Sequence, residues 1–383
     1  MSSIYLDHAA TSPLRPQVLE AMTAALGEWF GNPSSIHAFG RDARRALTEA
    51  RDCIARALGC KPGQLIFTSG GTESDNLAVI GTALKQRTAG KTHIITTKIE
   101  HHAVLGACRQ LEKCGFDVTW LPADSSGRVD PDDVARAFRS DTALVSVMYG
   151  NNETGAVQPV EAIGRLCRER GVPFHVDAVQ ALGSVPLHLS ELPFDLVSFS
   201  AHKINGPKGI GLLYVADGVP LQPLLFGGNQ ERRRRPGTEN VPAAVGFAKA
   251  VELAALEAPD KQRKMRELRE LFVETLRAET GGAGVVVNGH PEARLEHIVN
   301  VSFPGIDKET MLMNLDLAGI AASGGSACTS GSLEDSHVLE AMGLAPELVR
   351  SAIRFSFGYG TTAEEVAQAA KKTGTIANRL RNS

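Results

Sequence analysis

The residue with the most chemical potential in this chain is a lysine at the end of an apolar strand. Lys203 follows Leu196-Val197-Ser198-Phe199-Ser200-Ala201-His202 and precedes the turn Ile204-Asn205-Gly206-Pro207. A solvated lysine has a pKa of about 10.4. At the mouth of a core, desolvation removes part of its charge and makes it a nucleophile toward aldehydes. Ser200 and His202, beside it, can donate hydrogen bonds to a phosphate. An amine with phosphate donors suggests pyridoxal phosphate held as a Schiff base. The same residues also fit a strand-end lysine that merely tops a sheet.

Two further strand ends bear on that choice. Phe174-His175-Val176-Asp177 is an apolar run closed by a carboxylate, with Gln180 shortly after it. A buried strand-end carboxylate is costly without a cationic partner. A protonated pyridine nitrogen is such a partner and keeps the ring an electron sink. Gln180 could then bond the phenolic oxygen. Alternatively, Asp177 caps the helix that follows. Upstream, Leu65-Ile66-Phe67-Thr68-Ser69-Gly70-Gly71-Thr72 reads as strand, glycine-rich turn and helix start. Free amides at a helix N-terminus bind phosphate, and glycines let the backbone approach. The stretch is neither a Walker A loop nor G-x-G-x-x-G, so Gly71 and Thr72 point to a phosphate cup or to a simple turn.

These ends need a scaffold. Residues 41–58 and 101–113 have helical periodicity. Short apolar runs at 65–68, 93–99, 117–121, 143–149, 173–177, 195–200 and 209–215 alternate with helical stretches. That alternation predicts βαβ units and a mainly parallel sheet. Ligands of such sheets bind beyond the strand C-termini. Thr72, His101, Asn152, Asp177, Ser200, His202 and Lys203 all fall just after apolar runs, which supports one shared site. From about 241 to 280 the chain reads as a long charged helix, and 285–383 as a small α+β unit. The expected division is a large domain over 14–258 and a small one over 1–13 and 259–383.

With 383 residues, a net charge of −3 and 22% charged residues, the chain suits two domains and carries no nucleic-acid footprint. Arg232-Arg233-Arg234-Arg235 reads as a solvated loop. No 18-residue apolar stretch occurs, and Met1-Ser2-Ser3-Ile4 has neither a basic nor an apolar leader region, so a cytoplasmic protein without membrane contact is expected. The six cysteines form no C-x-x-C pair. Cys53, Cys108, Cys114 and Cys167 have apolar neighbours in or beside helices and read as buried or inert thiols. Cys328 lies instead in Ser323-Gly324-Gly325-Ser326-Ala327-Cys328-Thr329-Ser330, where nothing apolar covers it. A thiol there can be reached from outside.

Taken together these elements resemble the fold type I, aspartate-aminotransferase-like pyridoxal-phosphate enzymes, and in detail the cysteine desulfurases. The likeness runs from Tyr5-Leu6-Asp7-His8-Ala9-Ala10-Thr11 through Asn32-Pro33-Ser34-Ser35, Glu100-His101-His102-Ala103-Val104 and Asn151-Asn152-Glu153-Thr154-Gly155. It continues in Arg235-Pro236-Gly237-Thr238 and the Cys328 segment, whose length is similar to the group I branch serving iron–sulfur assembly and sulfur transfer. The resemblance implies conversion of L-cysteine to L-alanine, with sulfur left as a persulfide on Cys328 and passed to an acceptor protein such as an iron–sulfur scaffold. It implies Lys203 as the cofactor-bearing base, Asp177 on the pyridine nitrogen, and His101 stacked on the ring with a share in proton transfer. Thr72, Ser200 and His202 would hold the phosphate with Gly71. Thr238 would join them from the other subunit of a homodimer. Asn152 and Gln180 would fix the ring oxygen and substrate, and Arg354, with Asn32, the substrate carboxylate through a guanidinium fork. No resident metal is implied, though Cys328 is a candidate transient iron–sulfur ligand. A selenocysteine or β-eliminating lyase would share the scaffold, but Cys328 favours the desulfurase. A non-catalytic carrier should lack Lys203 or Asp177, and both are present. Gly237-Thr238-Glu239-Asn240-Val241 looks closer to the nitrogenase-associated branch. The ending at Ser383 lacks the longer C-terminal extension with which housekeeping members dock their scaffold.

Overall fold

The computed structural model of the chain describes residues 3–282, 284–325 and 335–382. Its strands are β1 (Ile4–Tyr5), β2 (Leu65–Thr68), β3 (His93–Thr97), β4 (Asp117–Leu121), β5 (Thr142–Ser146), β6 (Phe174–Asp177), β7 (Leu196–Ser200), β8 (Gly211–Val215), β9 (Val286–Asn288), β10 (Ile298–Ser302), β11 (Ile320–Ala321) and β12 (Ala352–Ser356). The helices are α1 (Pro16–Glu28), α2 (Ala38–Ala57), α3 (Gly71–Arg87), α4 (His102–Lys113), α5 (Pro131–Ala137), α6 (Val160–Arg170), α7 (Val241–Glu279), α8 (Lys308–Leu317), α9 (His337–Ala341), α10 (Pro346–Arg350) and α11 (Ala363–Arg381).

The central sheet has seven strands in the order β2-β8-β7-β6-β5-β3-β4. All pairings are parallel except those of β8, which runs against both β2 and β7. This is the α/β, mainly parallel architecture that the alternating runs predict. The inner strands β5, β6 and β7 are buried along their whole length, which is why they read as continuous apolar runs. Helix α2 shows one apolar stripe, with Ala43, Ala46, Leu47, Ala50 and Ile54 buried and charged residues between them.

Beyond the central sheet, β9, β10 and β12 form a three-stranded antiparallel sheet. It packs with α8, α11 and the second half of α7 around Leu268, Phe272, Val301, Phe355 and Val366. Residue Leu6 joins this apolar cluster, and Asp7 bridges to Ser356, so the first residues of the chain border the small sheet as expected. Residues 338–352, by contrast, bury Val338, Leu339 and Met342 against the large cluster around the central sheet. Helix α7 spans 39 residues; Asn240 caps its start, Pro242 lies in its first turn, and the helix continues through Gly246 and Pro259. No helix among the described residues is long and apolar enough to cross a membrane.

Candidate active site

The carboxyl ends of β2, β5, β6 and β7 open onto one cavity of about 180 Å3. Gly71, Thr72, His101, Asn152, Asp177, Gln180, Ser200, His202, Lys203 and Arg354 all line it. All but Arg354 reach it by the same local logic, the carboxyl end of a buried strand of the central sheet or the turn beyond it; Arg354 comes from the middle of β12 in the small sheet. After β7, a short turn over Ala201–Lys203 brings Ser200, His202 and Lys203 to the rim.

Helix α3 begins at Gly71 with no side chain capping its first amides. Those amides carry the positive end of the helix dipole. The turn is pressed onto the sheet by glycines. A Cβ on Gly71 would come within 2.9 Å of Val179 Cγ2, and one on Gly211 within 2.5 Å of the Gly70 backbone. With Ser200 and His202 on the same wall, the donor set suits a phosphate. The amine of Lys203 and the buried acid of Asp177 suit the aldehyde and ring nitrogen of pyridoxal phosphate, so the residues present fit that group.

Lys203 Nζ donates to the carbonyl oxygens of Ala9 and Ala10, both at 2.7 Å. The N-terminal segment thus closes over the lysine and aims it. Asp177 is 6% exposed, and its Oδ1 accepts the Val179 N–H at 3.0 Å. It therefore steadies the turn and lines the cavity at once. Burial raises its pKa to about 6, opposed by the Val179 amide and the Lys203 charge. His101 is the N-cap of α4, its Nδ1 accepting the Ala103 N–H at 3.2 Å. That bond leaves the ring proton on Nε2. Burial, then the nearby Lys203, pushes its pKa down to about 4, so the imidazole is neutral. His202 is lowered to about 4 by the same two causes, and its Nδ1 hydrogen-bonds Thr11 Oγ1 at 3.2 Å.

Arg354 is 1% exposed. Its Nη2 donates to Asp7 Oδ1 and its Nη1 to the Asn152 carbonyl, each at 2.8 Å. The guanidinium is an internal ion pair and a wall of the cavity together; its Nε is buried without a partner among the described residues. Gln180 spends one amide hydrogen on the Ala9 carbonyl at 2.9 Å. Asn32 and Thr238 are exposed and do not line the cavity of their own chain. The turn leading to Thr238 has left-handed backbone at Glu231, Arg232 and Arg233. It is anchored by Arg51, bound to Glu231, and by Arg235 bound to Glu73 in the first turn of α3. Arg235 is therefore not the free surface charge its place in a basic run predicts.

Cys328 lies outside the described residues. Of the other thiols, Cys108 and Cys167 are buried, whereas Cys114, expected to be covered, is exposed at the C-cap of α4. The helix ends there, so its last apolar turn no longer covers the next residue. Sequence reasoning also missed Asp75, Ala9, Ala10 and Met148 as cavity residues. The carbonyls of Ala9 and Ala10 act through backbone that no side-chain pattern reveals. Asp75 sits four residues after Gly71 and so faces the same way along α3, a spacing that could have found it. A larger cleft of about 470 Å3 beside Arg15, Lys261 and Tyr359 gathers no comparable set, since Arg15 is paired with Glu257 and Lys261 donates to Gly183.

The aminotransferase class-V family model matches residues 4–368. The chain is 53% identical over 381 residues to a protein of Bacillus subtilis named putative cysteine desulfurase IscS 1, covering 99% of this chain and 100% of that one. It is 48% identical to cysteine desulfurase IscS of Dictyoglomus turgidum, covering 99% and 95%. Among solved structures, a NifS-like protein superposes with a TM-score of 0.92 at 38% identity, covering 98% of this chain and 100% of that one. A structure of SspA in complex with cysteine superposes with a TM-score of 0.81 at 36% identity, covering 93% and 99%.

Proposed function

The chain belongs to the cysteine desulfurases of the aminotransferase class-V family, and from that premise we propose how its own residues carry the reaction. Members of this family generally depend on pyridoxal phosphate. In our reading this chain binds it in the 180 Å3 cavity, converts L-cysteine to L-alanine and keeps the sulfur as a persulfide on Cys328. The observation that carries the reading is the convergence of an amine, a buried acid and uncapped helix amides on one cavity.

When bound, the cofactor supplies an electron sink that acidifies the Cα proton of an attached amino acid. Lys203 is the amine that would hold its aldehyde. Once substrate replaces it, Lys203 becomes the base that takes the Cα proton. The carbonyls of Ala9 and Ala10 orient its Nζ for both tasks. Asp177 would hold the ring nitrogen, and the neutral His101 would cover the ring and could donate its Nε2 proton to the departing sulfur. The amides of Gly71 and Thr72, with Ser200 and His202, hold the phosphate. Asn152 and Gln180 contact the ring oxygen and substrate. Arg354, kept in place by Asp7, shares its guanidinium with the substrate carboxylate; Asn32, which lies off the cavity of its own chain, could help only from the other subunit. The likeness to a protein crystallised with cysteine supports that substrate. Reduction of the loaded protein with borohydride should fix the cofactor on Lys203 and on no other lysine; mass spectrometry finding it elsewhere refutes the assignment.

We also infer a homodimer, in which Thr238, exposed and outside the cavity of its own chain, would reach the phosphate of the other subunit. Large apolar side chains also lie open on the same chain, among them Leu26, Phe30, Ile36, Phe39 and Phe226. Of these, Phe30 and Phe39 pack against each other, ring centroids 5.2 Å apart, and together offer an apolar contact surface. If each Thr238 serves the other subunit, mixing Lys203→Ala with Thr238→Ala protomers creates one doubly damaged and one intact site per heterodimer. Activity should rise above that of either parent on subunit exchange. An active monomer by light scattering would end the cross-subunit role. The sulfur acceptor is then a protein that meets the Cys328 segment, such as an iron–sulfur scaffold. The division at residue 258 is also our reading, supported by two separate apolar clusters that meet along α7.

A further inference from the structure

Two buried carboxyl groups, Asp75 and Asp177, line the cavity, a third, Glu100, lies near them outside its lining, and the reaction as read above uses only Asp177. Asp75 lies in α3, is 1% exposed and lines the cavity. An oxygen of Asp75, an oxygen of Asp177 and a ring nitrogen of His101 all fall within 4.8 Å of one another. Glu100, 0% exposed, is the third acid.

Two carboxylates this close cannot both ionise in a buried site that holds too few cations. The surroundings decide which one keeps the charge. Asp177 has the Val179 N–H on its Oδ1 and the Lys203 ammonium nearby. Among the described residues no cation assists Asp75 in this way. His175 Nε2 is 3.5 Å from Asp75 Oδ1, but the ring is fully buried and hydrogen-bonded on both sides, to Ser146 and Ser198. Burial drives its pKa down to about 3, so it is neutral. His101 is neutral as well. Glu100 is pushed up to about 8 by burial and mostly keeps its own proton near neutrality. The Ser198 hydroxyl favours the Asp75 anion, while burial and the Asp177 charge oppose it and prevail.

We propose that Asp75 is a positioning residue of the cofactor site: a buried carboxylic acid that keeps its proton and leaves Asp177 as the single anion offered to the pyridine nitrogen. One anion matches one pyridinium. A second negative charge would demand another cation in the cavity and would compete for Lys203. The inference rests on the cofactor reading of Asp177 given above.

Asparagine imitates a protonated aspartate, which supplies the test. In the full-length, cofactor-free protein near neutral pH, an infrared difference spectrum of wild type minus Asp75→Asn should contain the carbonyl band of a protonated carboxylic acid. Asp75→Ala provides the same subtraction if the asparagine variant folds poorly. A carboxylate signature alone overturns the proposal. Stability gives an independent readout. An acid whose folded pKa is raised loses stability for the fold as pH climbs from its unfolded value, because only the unfolded chain releases the proton. The melting temperature of Asp75→Asn relative to wild type should therefore rise between about pH 4 and about pH 7. A difference that is flat across that range is the contrary result. With pyridoxal phosphate added, Asp75→Ala should bind it about tenfold more weakly and Asp75→Asn within about threefold of wild type. An asparagine variant as weak as the alanine one shows that charge at Asp75 is needed. Wild type that takes up no cofactor at all defeats the reading of Asp177 instead, and leaves the infrared and melting results to stand by themselves.

Discussion

Replacing Asp177 by asparagine should slow removal of the substrate Cα proton by about a thousandfold or more while the protein stays folded, the loss expected of a key electrostatic partner of a reacting centre. The size follows from where the residue sits. Its carboxylate is nearly fully buried, so a charge there acts through a medium that screens it weakly. An amide of the same shape can still accept the Val179 N–H, so the turn after β6 should survive. What the amide cannot do is stabilise a protonated ring nitrogen, and without that proton the ring draws electrons poorly. Circular dichroism and cofactor content should therefore resemble wild type while the rate of deuterium exchange at Cα falls. Near-normal exchange would reduce Asp177 to a turn cap.

The parts of the site carried by strand ends are legible in the sequence. A buried strand of a parallel sheet is a continuous apolar run, and the first polar residues beyond it lie at the ligand-binding edge. Thr72, His101, Asn152, Asp177, Ser200, His202 and Lys203 were all readable by that rule, and all seven line one cavity. Residues joined by long-range contact were not readable. The carbonyls of Ala9 and Ala10 reach Lys203 across almost the whole large sheet in sequence, and backbone carries no side-chain signature. Arg354 could be picked out as a guanidinium, but its pairing with Asp7 joins the two ends of the chain. Asp75 was hidden by its neighbours, since Glu73-Ser74-Asp75-Asn76 reads as the solvated start of a helix. Burial comes from packing against β6 and β7, a tertiary effect. Cys114 shows the reverse error, an apolar context in sequence that ends at a helix terminus and leaves the thiol open. Asn32 and Thr238 stand apart from the cavity of their own chain.

Cys328→Ala should separate the two halves of the reaction. The residues that meet substrate first, Lys203, Asp177 and Arg354, are unchanged, so L-cysteine should still perturb the visible absorption of the loaded enzyme. Sulfur release to an acceptor should collapse, because no other thiol can take the role. A nucleophilic sulfur must ionise and must reach both the cavity and the outside. Cys108 and Cys167 are buried, and burial drives their thiols far up. Cys60 is pushed up to about 12 by burial, and Cys53 is raised for the same reason. Cys114 is the informative control, since it is exposed. It lies at the far end of the helix that His101 opens, and twelve helical residues between the two caps put it roughly 20 Å from the site. Exposure without proximity should give alkylation by external reagents but no persulfide. Replacing Cys53, Cys60, Cys108, Cys114 or Cys167 should alter stability at most through packing and should leave sulfur transfer in place. Labelled cysteine followed by peptide mapping decides the matter: the label belongs on the peptide containing Cys328, and a persulfide on any of the other five with Cys328 unmodified would overturn the mechanism.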